Sequence, residues 1–330
     1  MKQKIRFDKE GVCSENNKKI SNKRIYIAIT IFLVTILIFC IFINTKYDIK
    51  GKTVINKNSY EEVEEQEQIQ KKLVEEEAEK AALDKSKNQI KVIERKVNDI
   101  LGEDKEHYGI YYYDLNTGCQ YFLNADKEFQ AASTMKVPIA MMIADKLGKK
   151  QLKEDTLIEY TTNDDCDGAG VLQGAVSEGQ KLKVIDLMKY MIEESDNVAT
   201  SMLKRNVGNI GDYITDLTSI KVDNEKNFIT PKQSCIILKS LYNKSCEDIY
   251  YKKIIEFMKA TSTHDRLDKY IPNEIVAHKI GDYENYVNDI GVIFMKEPYI
   301  LSIYTEDVME QGRENIAQIS KVIYDIKNDN

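Results

Sequence analysis

Strand-like text occurs in this chain at two places far apart, and what lies between them reads as helix. Tyr108–Asp114 is rich in tyrosine and isoleucine, is bounded by Asn116-Thr117-Gly118, and leads into Cys119–Leu123, the pattern of a β-hairpin. Val276–Lys279, Asp289–Met295 and Tyr299–Tyr304 alternate or run apolar, as antiparallel strands do. From Ser133 to about Ala260 the apolar residues fall at helical spacing, in runs at Lys181–Glu193, Ala199–Lys204 and Pro231–Tyr242. Arg313–Ile326 reads as a closing helix. First and last segments then share one sheet. The expectation is an α+β fold, an antiparallel sheet from both chain ends packed with helices around an all-helical insertion.

Upstream of that region the text changes character twice. Residues 1–24 are polar and carry eight basic side chains, ending in Lys23-Arg24. Ile25–Ile43 then runs for nineteen residues without a charge, enough for a slightly short transmembrane helix. A buried core helix would show a polar stripe, and a cleaved signal peptide would have a shorter apolar region with small residues at its end. Phe39-Cys40 lacks the small residue expected before a lipidated cysteine. The expectation is a single-pass anchor at 25–43 in the cell membrane, with the tail 1–24 cytoplasmic and the rest extracytoplasmic. Residues 44–88, rich in Glu, Lys, Gln and Ala, read as a charged helical spacer. Leu83, Ile90 and Val97 lie seven apart, with Ile93 and Ile100 on the other seam. Packing of this stripe on the sheet of a domain at 89–330 is favoured over a coiled coil.

A net charge of −7 gives no bias toward nucleic acid as a partner. The three histidines, His107, His264 and His278, are scattered without zinc-ligand spacing, so no metal is expected. No Gly-x-Ser-x-Gly elbow, phosphate loop or dinucleotide fingerprint occurs, and no cofactor is expected. Of the six cysteines, Cys13 falls in the tail and Cys40 in the apolar run. Cys119, Cys166, Cys235 and Cys246 allow three pairings or free thiols, and none has the Cys-His-Asn context of a nucleophile.

Chemistry concentrates at Ser133-Thr134-Met135-Lys136, which opens the apolar run Ile139–Leu147. A serine and a lysine three apart at a helix start share one face. An amine kept partly neutral by low dielectric can take the hydroxyl proton there, and the helix N-terminus favours the developing anion. Ser201-Met202-Leu203-Lys204 has the same spacing, so spacing alone does not choose. Order does more: Ser195-Asp196-Asn197 follows, then Lys279-Ile280-Gly281. Taken alone, Ser195-Asp196-Asn197 is also what a helix cap before Val198-Ala199 looks like.

This ordered trio resembles the serine β-lactamase and penicillin-binding protein superfamily, in its class A-like branch. The resemblance spans roughly residues 89–327 and extends to Tyr113-Asp114-Leu115-Asn116-Thr117-Gly118, to Gly168-Ala169-Gly170-Val171-Leu172-Gln173, to Ile229-Thr230-Pro231 and to Val276-Ala277-His278-Lys279. It implies that Ser133 forms an acyl-enzyme with Lys136 as base or relay. It implies that Ser195 passes a proton to the leaving nitrogen and that Lys279 holds that hydroxyl and the substrate carboxylate. Asn197 would bridge Lys136 and the substrate amide. The amides of Ser133 and of a residue after Gly281, with Tyr283 as the candidate, would form the oxyanion hole. Substrates would be β-lactams or acyl-D-Ala-D-Ala-like peptides. The family reading is a β-lactamase, with a D,D-carboxypeptidase or transpeptidase as the alternative and a catalytically weak cell-wall-binding module as the second.

Three departures from the family pattern stand out. Ile280 replaces the usual Thr or Ser, removing a hydroxyl worth about 1.5–3 kcal/mol toward a charged group. No arginine follows Lys279 until Arg313, and Arg266 is either an alternative carboxylate anchor or a surface arginine. The loop that carries the deacylating Glu in class A enzymes is replaced by the short segment 221–228, whose one Glu, Glu225, reads as a solvent-facing loop charge.

Overall fold

α1 (Lys57–Leu101) crosses the boundary between two units of the chain, Met1–Leu73 and Val74–Asn330. The structure, a computed structural model, describes residues 57–223 and 226–329. The run 25–43, the basic tail and Glu225 lie outside the described residues. Among the described residues no helix is long and apolar enough to cross a membrane. In the second unit α1 turns from solvent to the core: Ser86, Gln89, Ile93, Val97 and Leu101 are buried at spacings of three and four. The stripe read from the sequence thus packs within the chain.

The elements that follow are β1 (Tyr108–Asp114), β2 (Gln120–Leu123), β3 (Phe129–Gln130), a 3-10 turn (Ala132–Met135) and α2 (Lys136–Gly148). Next come β4 (Leu157–Glu159), β5 (Lys181–Lys183), α3 (Val184–Glu193), α4 (Asn197–Lys204), α5 (Ile210–Thr218) and β6 (Phe228–Ile229). The chain continues with α6 (Pro231–Ser245), α7 (Ile249–Lys259), β7 (Val276–Tyr283), β8 (Tyr286–Ile293), β9 (Tyr299–Thr305) and α8 (Met309–Asn328). The main sheet is antiparallel with order β2-β1-β9-β8-β7, so β1 pairs with β9 in its interior. The α+β class and the sheet from both ends are as the sequence led us to expect.

The strand period of two sorts the core into two layers. Tyr299, Leu301 and Ile303 of β9 join Ile93 and Val97 of α1 and Ile316 and Ile319 of α8. Ile300 and Tyr304 face the opposite way, toward a cluster that includes Ile143 of α2, Met188 of α3, Leu238 of α6 and Ile254 of α7. Fully buried Lys327 of α8 fastens the first layer, donating to Asp114 (2.6 Å) and Glu297 (2.9 Å).

Two features correct the reading of the middle. The insertion is not all-helical, because β4 and β5 pair as a small antiparallel ribbon and β3 pairs with β6. Lys181–Lys183 is strand, and the helix begins at Val184. Pieces of two or three residues are too short to show alternation, so tertiary pairing decides them. Cys119, Cys166, Cys235 and Cys246 are free thiols.

Candidate active site

The turn that carries Ser133 is held in a conformation most residues avoid. Ala132, just before it, has φ +49°, in the left-handed region that costs a non-glycine residue about 1–3 kcal/mol. Its surroundings are fixed by buried groups. Thr134 Oγ1 donates to the Ala131 carbonyl at 2.7 Å and lies 3.0 Å from the Tyr304 hydroxyl, which is 2.6 Å from Ser234 Oγ. Asn288 of β8 donates to the Gln130 carbonyl at 2.8 Å. Gly281 lets β7 pass alongside, since a Cβ there would sit 2.8 Å from the Ala131 carbonyl oxygen and 3.1 Å from Thr134 Cγ2.

Ser195 is the second strained serine, with φ +53°. Asp196 behind it caps α4, one carboxylate oxygen accepting from Ala199 N at 2.7 Å. The other accepts from Val171 N at 2.6 Å and Leu172 N at 2.8 Å. Asn197 is tied to the same strip, donating from its backbone to the Ala169 carbonyl (2.9 Å) and from Nδ2 to that of Asp167 (2.8 Å). The strip must be glycine at 170: φ is +132°, and a Cβ would fall 2.6 Å from Asp196 Cα. The helix-cap reading of Ser195-Asp196-Asn197 therefore holds for Asp196.

These supports bring the trio into contact. Lys136 Nζ lies 3.0 Å from Ser133 Oγ, 2.7 Å from Asn197 Oδ1 and 3.3 Å from Ser195 Oγ, and donates also to the Ser195 carbonyl. Lys279 Nζ reaches the same Ser195 Oγ at 3.0 Å and the Ile280 carbonyl at 3.2 Å. Burial pushes Lys136 down to about 8, against the partial pull of Asp196 in the other direction. Burial, then the neighbouring Lys136, pushes Lys279 down to about 7. Ser133 and Lys136 open onto a cavity of about 440 Å³ lined also by Asn197, Lys204, Asp223 and Tyr283. Ser201, the competing candidate, faces Asp164 at 3.3 Å instead.

A serine hydroxyl beside a depressed lysine, with a second serine shared between two amines, is suited to nucleophilic acyl transfer without histidine. The model of the beta-lactamase enzyme family matches residues 92–326. The chain belongs to that family. Beta-lactamase VEB-1 of Pseudomonas aeruginosa is 26% identical over 265 residues, which is 69% of this chain and 88% of that protein. The solved structure of PBP-A superposes with a TM-score of 0.65 at 20% identity, covering 72% of this chain and 96% of that one. A PBP-A variant in acyl-enzyme complex with penicillin G gives 0.63 at 19% identity, over 74% and 96%.

Two expected site residues of this family member are placed differently. Tyr283 lines the cavity, but its amide does not face it. Tyr283 and Tyr286 oppose each other across the two-residue connection Glu284-Asn285, so they form the hydrogen-bonded pair that closes the hairpin. Orientation alternates along a strand, and the amide on the free edge of β7 belongs to Asp282. Arg266 is neither a surface arginine nor open to a substrate. It is buried, donating to both carboxylate oxygens of Asp282 (2.8 and 2.6 Å) and to the Asn288 carbonyl (2.8 Å). Arg313 of α8 holds Asp282 as well, at 2.9 Å. This cluster joins three distant segments, and no local pattern announces it.

Below Lys279 lies a buried cluster that the sequence left as scattered histidines. His278 has Nδ1 at 2.9 Å from Asp289 and Nε2 at 3.3 Å from Asp268, while His264 bonds Asp268 from outside. The atoms of His264, Asp268 and His278 are close enough for a metal, but burial, which lowers His278, is overcome by the two carboxylates, which raise it to about 10. The two carboxylates thus favour the protonated ring. We read it as a structural ion triad under the strand that carries Lys279.

Proposed function

We propose that this protein is a serine hydrolase acylated on Ser133 by β-lactams, with slow release of the acyl group. The observation that carries the reading is the 3.0 Å contact between Ser133 Oγ and an amine lowered to about 8. In the forward step Ser133 Oγ bonds to the lactam carbonyl carbon and its proton passes to Lys136. The tetrahedral oxyanion sits between the amides of Ser133 and Asp282. As the carbon–nitrogen bond breaks, Ser195 gives its proton to the leaving nitrogen and regains one from the lysine pair. Asn197 keeps Lys136 aimed and offers its amide to the substrate.

Release needs a water activated by a base. Asp223 and Asp282 are the carboxylates among the described residues lining the cavity, and the first lies 3.6 Å from Lys226 while the second is held by arginines. General-base help is worth about 10²–10⁴-fold, so its weakening slows hydrolysis of the ester by that order. The shortness of 221–228 favours penicillin-binding behaviour, with D-Ala-D-Ala-like peptides as the second reading of the substrate. The apolar run 25–43 and the basic tail support an anchored, extracytoplasmic enzyme.

The test is intact-mass measurement of the domain after mixing with benzylpenicillin, followed by nitrocefin turnover. The expected result is a stable penicilloyl adduct that is lost in Ser133→Ala and retained in Ser201→Ala. Rapid turnover with no detectable adduct, or labelling that survives Ser133→Ala, overturns the reading.

A further inference from the structure

Lys279, three residues before the free edge amide of Asp282 on β7, is the group expected to meet a substrate carboxylate, and the carboxylates around that edge oppose one. The corner is built by Asp282 of β7, Arg266 and Asp265 of the preceding loop, and Arg313 and Glu310 of α8. Arg266 spends Nη2 on Asp282 and Nη1 on the Asn288 carbonyl, and its Nε lies 3.1 Å from Asp265. Arg313 bonds Asp282 at 2.9 Å, lies 3.5 Å from Asp265 and also pairs with Glu310. Two guanidinium cations thus meet three carboxylates, a local excess of one negative charge. Lys279 is coupled to both Asp282 and Arg266, but its own hydrogen bonds go to Ser195 Oγ and the Ile280 carbonyl rather than to this corner. Ile280 brings no hydroxyl. Asp282 itself lines the cavity with a side chain 39% exposed, so its charge reaches any group bound beside Ser133.

We propose that Asp282 sets the substrate class of this site, selecting acyl donors whose group at the β7 edge is an uncharged carbonyl, an amide or ester, over those ending in a free carboxylate. The proposal rests on acylation at Ser133 as read above. A free carboxylate would approach a carboxylate already bonded to both arginines. It would have to displace Asp282 or sit against it. An amide brings no charge to repel, and its N–H can donate to Asp282. Like charges roughly 5 Å apart in a half-dry site are repelled enough for a tenfold to hundredfold effect on acylation. The natural donor would then be a peptide with an amidated or otherwise blocked terminal carboxyl group.

The experiment compares acylation of Ser133 by benzylpenicillin and by its 3-carboxamide, read as adduct mass against time. Wild-type protein is expected to react faster with the carboxamide. Asp282→Asn removes the charge, and it should shift the ratio of the two rates tenfold or more toward benzylpenicillin, whatever it does to the rates in common. The wild-type preference should also narrow between 50 mM and 500 mM salt, as screening requires, and this needs no variant. Adducts with both probes, a wild-type preference for benzylpenicillin and a rate ratio unmoved by Asp282→Asn in a folded protein sink this proposal alone. Absence of an adduct with either probe sinks the acyl-enzyme reading and this proposal with it.

Discussion

Two amines share one hydroxyl at the centre of this site, and both are buried. Double protonation of Lys136 and Lys279 is therefore disfavoured, and near neutral pH the pair holds fewer than two protons between them. An ordinary lysine at pH 7 is neutral in well under one molecule in a thousand, whereas one lowered to about 8 is neutral in about a tenth. In the proposed mechanism the neutral amine is the base, so the acylation rate should climb about tenfold per unit below pH 7 and level off above about 8. Stopped-flow acylation between pH 5.5 and 9.5 checks the shape, and a flat profile below 8 removes Lys136 as the base. Lys136→Arg, which stays charged throughout, should lose at least 10²-fold. The lysines and serines of the trio were legible in the sequence because each sits in a short local pattern in a fixed order. The bonds of Asp282 to Arg266 and Arg313 were not, because only the folded chain makes the three neighbours.

The N-terminus of α4 shows how an element is made to serve the site. Asp196 caps the helix and also receives two amides of the strip at Val171 and Leu172, so one buried carboxylate sets the angle between helix and strip. Asp196→Ala removes a cap worth about 1 kcal/mol and orphans those amides at roughly 1–3 kcal/mol each. The expected outcome is a loss of about 3–7 kcal/mol in urea unfolding, together with slower acylation as Ser195 and Asn197 drift. A loss under about 1 kcal/mol would mean that water replaces the carboxylate without cost. The long helices and the strands β7 to β9 were readable from periodicity, as was the stripe of α1 that packs on the sheet. The ribbon β4–β5 was not, since its pairing owes more to tertiary contact than to its own three-residue segments.

At the scale of the whole molecule, the anchor proposed for residues 25–43 makes a claim about sides. Protease added to intact spheroplasts should digest the domain and leave the basic tail, and protection of the domain would refute that topology. The sheet adds a consequence in time. β1 lies between β2 and β9, and its residue Tyr108 is paired with Thr305, 197 positions later. A growing chain emerges N-terminus first, so while the long middle is being made β1 presents an open edge that nothing yet covers. Lys279 likewise has no sheet to stand in until β9 arrives. Under the topology proposed above, the chain threads outward from a membrane with Ser133 among the earlier parts to cross, and it waits for Lys279 and the sheet beneath it until that passage is nearly complete.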